Sequence, residues 1–353
     1  MGNVTLKTVA DECGVSISTV SNAYNKPDQL SVEVRERVLG TAKRLGYAGP
    51  NAAARSLRSQ RAGAIGLLFT HQLSYAFSDP YSVGMLAGLS EIAEAHRTGL
   101  LLIPLPPFDP EQPAEAELAA ETMRQAVVDG VVAYCVDADH PARQVALDRG
   151  IPIASTIDLD DERQGYVLID EDGAANALGQ HLRDLGHRNV GIVVASREPA
   201  GPATIVRPED EPDLYHDSRL RLRGLRQALG PQAQVTAVSA GHNSHEAGLA
   251  AARFLLDRPD RPTAIACTSD VLALGVLEVL RQRGLQVGQE VSLSGFDDVP
   301  AAQEAGLTTV RQPIAEKGRL LGRMLLDPGF TERRVVLDTD LVVRSSTGPA
   351  PNP

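Results

Sequence analysis

The sequence lacks the features that would place it in a membrane or outside the cell. It has no apolar run of about 18 or more residues, the length that a membrane-spanning helix needs. Residues 1–7 lack the basic stretch and the apolar core of a secretory signal. The three cysteines, Cys13, Cys135 and Cys267, lie far apart, without the spacing of a metal site or a disulfide framework. These absences predict a soluble, reduced, cytoplasmic protein.

Several catalytic motifs are absent as well. There is no Walker phosphate loop, no Gly-x-Gly-x-x-Gly after the first predicted strand, and no Gly-x-Ser-x-Gly elbow. The eight histidines are scattered without metal-ligand spacing. We therefore predict that the protein is not an enzyme and that it carries no cofactor and no metal.

The composition is that of a globular protein, with 43% hydrophobic, 22% charged and 4% aromatic residues. Its 353 residues exceed one ordinary domain. Charge is unevenly distributed: residues 1–61 hold nine Lys and Arg against five Asp and Glu, and the rest hold 25 against 40. A small basic head can approach phosphate while an acidic body is repelled by it. Chance scatter in a short segment is the alternative explanation.

The head has the pattern of a helix-turn-helix. Each predicted helix follows a Ser or Thr that can cap it, and Gly14 ends the first helix before a short turn. The caps and helices are Thr5 with Leu6–Cys13, Ser16 with Ile17–Tyr24, and Ser31 with Val32–Leu45. The second helix carries small polar side chains on one side, which suit close approach to phosphates and base edges. A plain solvated helix is the alternative.

Residues 48–61 predict a short hinge helix. Asn51 can cap residues 52–58, a helix that is marginal alone because it has almost no apolar face. Leu57 is its only large apolar side chain and stands between Arg55 and a second arginine. This pattern fits a wedge in the minor groove of DNA, with the arginines on phosphate. A flexible linker whose leucine packs on the body is the alternative.

The body alternates short apolar runs with amphipathic helices. The first run is Ala64–Phe69, and a second series of strands and helices starts at Tyr166–Ile169. This alternation predicts two doubly wound, parallel-sheet lobes, with a ligand cleft at the carboxyl ends of their strands. The polar, proline-rich segment Glu198–Asp217 is predicted to hang over the cleft mouth or to be mobile.

The chain resembles the lactose-repressor/galactose-repressor (LacI/GalR) family over nearly its whole length. The motifs that carry the resemblance are Val4-Thr5-Leu6, Gly14-Val15-Ser16, Thr19-Val20-Ser21, Leu45-Gly46-Tyr47, Ala54-Arg55-Ser56-Leu57, Ser269-Asp270, Ser294-Gly295-Phe296-Asp297-Asp298 and Leu307-Thr308-Thr309-Val310-Arg311-Gln312-Pro313. The resemblance implies a helix-turn-helix head, a hinge helix and a sensor body similar to periplasmic sugar-binding proteins. The sequence departs from the family between Tyr47 and Pro50, where the entry to the hinge is one residue longer.

The resemblance also implies the residues that contact DNA. The positions implied for base readout are Ile17, Ser18 and Asn22. The positions implied for the DNA backbone and the hinge are Thr5, Ser16, Thr19, Ser21, Asn51 and Arg55, with Leu57 as the wedge.

Eight effector-binding residues follow from the same resemblance. They are Phe77, Asp79 and Tyr134 in the first lobe, Arg221, Asn243 and Ser269 in the second, and Asp297 and Gln312 near the crossovers. Carboxylates, amides and an arginine suit the hydroxyl groups of a sugar. Other interpretations remain open: Asp297 and Asp298 could cap a helix or bind a metal, and Arg221 lies on an arginine-rich helix that could be solvated.

The predicted domains follow the family's organisation. They are a helix-turn-helix domain at 1–47, a hinge helix at 48–61, a first lobe at 62–168 and 312–329, a second lobe at 169–311 and 330–346, and a disordered tail at 347–353. Because the tail lacks an apolar heptad repeat, we predict a homodimer on a palindromic double-stranded operator.

The predicted function is sequence-specific DNA binding by a transcriptional repressor that is controlled by a small effector, such as a sugar, between the lobes. A first alternative is a DNA-binding regulator whose sensor no longer binds a ligand. A second is a cytoplasmic carbohydrate-modifying enzyme. A third, a periplasmic solute-binding protein, is opposed by the head and by the missing secretory signal.

Overall fold

The structure, a computed structural model, divides the chain into two compact units, Met1–Gly63 and Ala64–Pro353. The residues that it describes are 4–49, 61–69, 73–105, 113–158 and 164–351. Within those ranges, the helices are too short or too polar to cross a bilayer. The predicted hinge helix falls almost entirely on residues 50–60, outside the described ranges.

The N-terminal unit consists of three helices around a small core. The helices are α1 (Leu6–Cys13), α2 (Ile17–Asn25) and α3 (Val32–Leu45). Each begins at its predicted cap, whose side chain accepts a hydrogen bond from a backbone N–H in the first turn. Gly14 ends α1 with a φ of 63°, a conformation that glycine adopts without strain. The core residues are Val9, Ala10, Val20, Ala23, Val38 and Ala42.

The second unit alternates strands and helices. Its strands are β1 (Ala64–Phe69), β2 (Gly99–Pro104), β3 (Val131–Tyr134), β4 (Ile153–Ser155), β5 (Gly165–Ile169), β6 (Asn189–Val194), β7 (Thr204–Ile205), β8 (Gln234–Ser239), β9 (Ala264–Cys267), β10 (Ser292–Ser294), β11 (Thr309–Arg311), β12 (Arg334–Leu337) and β13 (Asp340–Val342). Its helices are α4 (Tyr75–Ser78), α5 (Pro80–Ala95), α6 (Pro113–Gln125), α7 (Pro141–Asp148), α8 (Glu171–Asp184), α9 (His216–Leu229), α10 (His245–Leu256), α11 (Asp270–Gln282), α12 (Pro300–Glu304) and α13 (Ile314–Leu326).

Two mainly parallel sheets form the two lobes. The first has the strand order β12-β5-β4-β3-β1-β2, and the second β10-β9-β6-β8-β7. Apolar clusters cover both faces of each sheet, so both lobes are doubly wound, as predicted. In β1, Ile65 and Leu67 belong to one cluster and Leu68 to the other, which follows from the alternation of side chains along a strand.

The proline-rich segment at 198–217 is ordered, which corrects part of our prediction. Its strand β7 pairs antiparallel with β8, and a 3₁₀ helix at Pro208–Asp213 follows. Val206 and Leu214 are buried in the core of the second lobe. These two apolar side chains anchor the segment to the second lobe. Because the residues around them are polar, the sequence shows no apolar run that would predict this packing.

Two domain assignments also differ from the prediction. Strand β12, which we assigned to the second lobe, pairs in parallel with β5 and belongs to the first. Residues 347–351, predicted to be disordered, pack on the second lobe, where His181 Nε2 lies 2.9 Å from Thr347 Oγ1. The buried His187 contacts the carbonyl oxygen of Gly348 at 3.1 Å. These long-range hydrogen bonds replace the apolar side chains that the tail lacks.

Three helix pairs pack closely because each helix of the pair has a glycine at the contact. A Cβ at Gly88 of α5 would collide with the Ala315 carbonyl oxygen of α13, and one at Gly318 with that of Met85. The pairs α8–α9 and α10–α11 have the same arrangement, through Gly179 with Gly224 and Gly248 with Gly275. The close contact leaves no room for a methyl group in any of the three pairs.

Candidate functional site

A cavity of about 210 Å³ lies between the two sheets of the second unit. Its walls come largely from residues at or just after the carboxyl ends of parallel strands, where open α/β sheets bind ligands. These residues are Tyr134 and Cys135 after β3, Thr156 after β4, Glu171 after β5, Ala195 after β6, Thr268 and Ser269 after β9, and Asp297 after β10. Both lobes therefore contribute to one site.

Arg221, on α9, is the central cation of this cavity. Its Nε donates to Glu171 Oε2 at 2.6 Å, and its Nη1 donates to the Thr268 carbonyl oxygen at 2.6 Å. Nη1 also lies 3.5 Å from Asp297 Oδ1. The guanidinium stacks on the Phe296 ring at 3.8 Å, which fixes its plane. Arg221 is therefore not the solvated residue of our alternative interpretation.

The surroundings of Arg221 and Asp297 shift the pKa of both groups. Burial alone would lower the pKa of Arg221, but Glu171, Asp217 and Asp297 together raise it, so the guanidinium stays charged. Burial raises the pKa of Asp297, and Arg221 opposes that rise. The cluster presents charged hydrogen-bonding groups in a place from which water is largely excluded.

Asp297 is held in a strained backbone conformation. Its φ is 118°, which non-glycine residues rarely adopt, and its N–H donates to the Val310 carbonyl oxygen at 2.8 Å. The next residue, Asp298, is paired with Arg311 at 2.7 Å and Arg344 at 2.6 Å. Asp297 thus lines the cavity, while Asp298 joins β11 to the segment after β13.

Tyrosines and a carboxylate form the wall of the first lobe. Asp79 Oδ2 accepts from the Ser82 N–H at 2.8 Å and from its hydroxyl at 2.7 Å. Burial raises the pKa of Asp79. Across the cavity, Asn243 Nδ2 donates to Tyr75 Oη at 2.9 Å, and Ser269 Oγ donates to Asn243 Oδ1 at 2.5 Å. The Asn243–Tyr75 bond joins the second lobe to the first, and Ser269 holds Asn243 in place within the second lobe.

Six of the eight predicted effector residues line the cavity, and two do not. The six are Asp79, Tyr134, Arg221, Asn243, Ser269 and Asp297. Gln312 lies behind the wall, where its Nε2 donates to Asp297 Oδ1 at 2.6 Å. Phe77 is 66% exposed and is not a cavity residue. Residues two apart on a helix point in different directions, so Tyr75 faces the cavity and Phe77 does not.

The sequence analysis missed several residues of the cavity. Lys317 and Glu171 carry charge there, and the end of the proline-rich segment contributes Tyr215, His216 and Asp217. Two of these had a signal in the sequence. Glu171 follows a predicted strand, and Lys317 interrupts the apolar face of α13. The proline-rich segment was predicted to hang over the cleft mouth or to be mobile, but its cavity residues were not named, because its position depends on the pairing of β7 with β8.

The predicted DNA-reading residues of the described head lie at the N-cap of α1 and along α2, from its N-cap Ser16 to Asn22. Ile17 is 49% exposed although it is apolar, and Ser18 is exposed beside it. Ser16 Oγ lies 2.7 Å from Ser18 Oγ and 2.8 Å from Thr19 Oγ1. Ser21 and Asn22, half-buried, bond to Asn25 and Gln29 in the same unit. Hydroxyl groups at a helix N-terminus suit phosphate contacts.

Thr5 is exposed and joins Thr8 in a capping box. Asn51, Arg55 and Leu57, which we predicted in the hinge, lie outside the described residues.

A helix-turn-helix unit and a two-lobed unit with a polar cavity define a ligand-sensing DNA-binding protein. Comparisons with known proteins agree. Residues 5–51 match the family "Bacterial regulatory proteins, lacI family", and residues 180–347 match the "Periplasmic binding protein-like domain". An HTH-type transcriptional regulator of Mycolicibacterium smegmatis is 38% identical over 98% of this chain and 96% of its own. The chain therefore belongs to the LacI family of transcriptional regulators.

Two further similarities extend over nearly the whole chain. The ribose operon repressor of Escherichia coli (strain K12) is 31% identical over 97% of this chain and 99% of its own. A structure of the transcriptional regulator CelR in complex with cellobiose has a TM-score of 0.65 and 28% identity, and the match covers 97% of this chain and 99% of that one.

Proposed function

We propose that this LacI-family regulator is a cytoplasmic repressor whose effector is a sugar or a related polyhydroxy metabolite. The cavity between the lobes carries the proposal, because it combines carboxylates, an arginine, amides and tyrosine rings. Carboxylates accept hydrogen bonds from ligand hydroxyls, charged nitrogens donate to them, and aromatic rings cover the apolar faces of a sugar. The similar CelR holds cellobiose, and a ribose operon repressor is among the relatives.

The cavity has room for a small effector. Its volume is about 210 Å³, and residues of both lobes line it. We therefore propose a small ligand that contacts both lobes in the arrangement that the structure shows.

The contacts between the lobes supply a route from ligand to response. Asp137 in the first lobe pairs with Arg197 in the second, with Arg197 Nη2 2.8 Å from Asp137 Oδ2. A ligand that binds one arrangement of the two lobes more tightly than another shifts the equilibrium between these arrangements. The shift equals the difference in binding free energy, typically about 1–3 kcal/mol. This range corresponds to about fivefold to 150-fold in operator affinity.

The function is tested first on DNA. The purified chain should enrich a palindrome with a fixed centre from a random duplex pool at near-physiological salt, because two heads read two half-sites. The double variant I17A/N22A is the matched control: it removes two predicted base contacts on α2 and should lose the enrichment. Failure to enrich a site, with or without added metabolites, would contradict the assignment of the head as a DNA reader.

A dimer is proposed through the β2 edge of the first sheet, where the described part of the chain supplies no further strand. Strand β2 lies at that edge, and Leu101 on it is 40% exposed. Other exposed apolar side chains of this lobe are Val83 on α5 and Leu118 on α6. A second copy that covers these side chains would remove both the apolar surface and the unpaired strand edge from water.

Leu101→Glu tests the proposed dimer face. The charge should weaken dimerisation at least tenfold, because burying an unpaired carboxylate in an interface is unfavourable. Sedimentation of wild type and variant over a concentration series measures the change. Val336→Glu, which changes an exposed valine on β12 at the opposite edge of the same sheet, is the control and should leave dimerisation unchanged. Equal dimerisation of wild type and L101E would place the interface elsewhere.

Two alternatives to a ligand-responsive regulator can be tested: a regulator whose sensor has lost its ligand, and an enzyme. Isothermal titration against sugars and nucleosides would give no heat if the sensor had lost its ligand. Catalysis by the thiol that lines the cavity is disfavoured, because burial raises the pKa of Cys135 to about 12. We propose, accordingly, a sensor rather than a catalyst.

A further inference from the structure

Lys317 is the only lysine in the chain after Lys43, and the other cations of that long segment are arginines. It is 2% exposed and lies on the face of α13 that also buries Leu320, Leu321 and Met324. An apolar side chain would continue that face without interruption. Because a buried ammonium is unfavourable unless it has partners, packing alone does not account for this residue.

The contacts of Lys317 are with neutral groups. Its Nζ donates to Tyr81 Oη at 2.8 Å and to Gln312 Oε1 at 3.3 Å, and it lies 5.4 Å from the centre of the Tyr81 ring. Among the residues that the structure describes, no carboxylate oxygen comes within 4 Å of Nζ. An ammonium has three N–H donors, and these two bonds use two of them. The third is left for a ligand, since Lys317 lines the cavity.

The rest of the cavity decides what kind of ligand Lys317 can meet. The carboxylates Glu171, Asp217 and Asp297 surround Arg221, whose single positive charge offsets only one of their negative charges. Asp79 adds a further acidic group on the opposite wall. An anionic ligand would be repelled by several carboxylates at once, and a cationic ligand would be repelled by Lys317. A neutral ligand with many hydroxyls can donate to the carboxylates and accept from the ammonium.

We propose that Lys317 is a ligand contact and the specificity-determining residue of this cavity: its ammonium donates to an oxygen of a neutral polyhydroxy effector whose hydroxyls donate to the carboxylates. This inference rests on the proposed function of the cavity. Lys317 also links the ligand to the crossover between the lobes, because Gln312 joins Lys317 to Asp297 through bonds of 3.3 and 2.6 Å. Gln312 therefore connects a ligand bound at Lys317 to the side chain of Asp297.

The test uses the full-length chain, its Lys317→Met variant and matched ligands. The panel consists of neutral pentoses, hexoses and sugar alcohols, each beside its sugar acid and its phosphate ester, measured by thermal shift and titration calorimetry. Wild type should bind a neutral member in preference to its acid and phosphate partners. K317M should bind that member about tenfold to a hundredfold more weakly, the loss expected for a hydrogen bond from a charged donor. The melting temperature of K317M without sugar should not fall, which distinguishes a lost ligand contact from a folding defect.

A second measurement avoids substitution. Acetylation of the wild-type lysines, followed by peptide mass spectrometry, should show that the bound sugar slows modification of Lys317 and leaves Lys7, Lys26 and Lys43 unchanged. Unchanged affinity in K317M, no protection of Lys317, or preference for the acid or phosphate members would overturn the proposal. If no panel member binds wild type, the proposed function fails instead. Lys317→Arg, which keeps the charge and changes its geometry, should bind more weakly than wild type.

Discussion

Replacing Arg221 by methionine is expected to lower the free energy of unfolding of the sensor unit by about 3–5 kcal/mol, the cost of leaving buried charges unpaired. Arg221 is 4% exposed, and Glu171 and Asp297 both depend on it. Methionine fills similar volume, so the loss of charge dominates. Ligand binding should be lost as well, because the carboxylates would repel one another and rearrange. Urea unfolding and titration calorimetry measure the two effects.

The pH dependence of the stability of R221M distinguishes unpaired buried charges from a packing defect. Burial already raises the pKa of Asp297, and removal of Arg221 would raise it further. The deficit of R221M should therefore shrink as pH falls and the carboxyl takes up a proton, and grow as pH rises. The control is Arg223→Met on the same helix, whose ion pair with Asp172 is exposed and should contribute less than about 1 kcal/mol. A pH-independent deficit, or equal losses in R221M and R223M, would contradict the explanation.

Gly88→Ala should be the most damaging change of a single methyl group in the first lobe. The new Cβ would collide with the Ala315 carbonyl oxygen, a backbone atom that cannot turn aside. Helices α5 and α13 would have to separate, with a cost of about 1–3 kcal/mol or more for overpacking. A fall in melting temperature and in the urea midpoint would report it.

Gly84→Ala, one turn earlier on the same helix, is the matched control. Its Cβ would lie 3.1 Å from Ile314 Cγ2, the end of a side chain that can shift. The higher helix propensity of alanine offsets part of the strain, so the change in stability should be small. If G84A and G88A were equally destabilising, loss of glycine rather than collision with the backbone would be the cause.

Much of the fold could be predicted from local sequence. The bounds of α1 and α3 follow from caps and glycines, since Thr5, Ser31, Gly14 and Gly46 act on their nearest neighbours. The buried strands of both lobes can also be predicted, because each is a short apolar run in the sequence. Strands β7 and β12 could not be located in this way, because their places depend on partners far away in the chain.

The residues of the candidate site also fall into two groups, those that a local motif predicts and those that depend on tertiary packing. Arg221, Asp297 and Ser269 were found by motif, and all three line the cavity. Phe77 was misplaced because a one-turn helix leaves its orientation open in the sequence. Lys317 was missed because a lysine is expected to reach solvent, and only the packing of α13 against α5 shows that this one is enclosed.

The strained backbone at Asp297 sets stability against sensing at a single position. A glycine there would adopt the same φ of 118° without strain. It would also remove the carboxylate that faces Arg221 and the cavity, and with it one of the proposed effector contacts. The chain therefore tolerates backbone strain in order to keep an aspartate at this position. Under the proposed function, that strain is a share of folding stability given up for responsiveness.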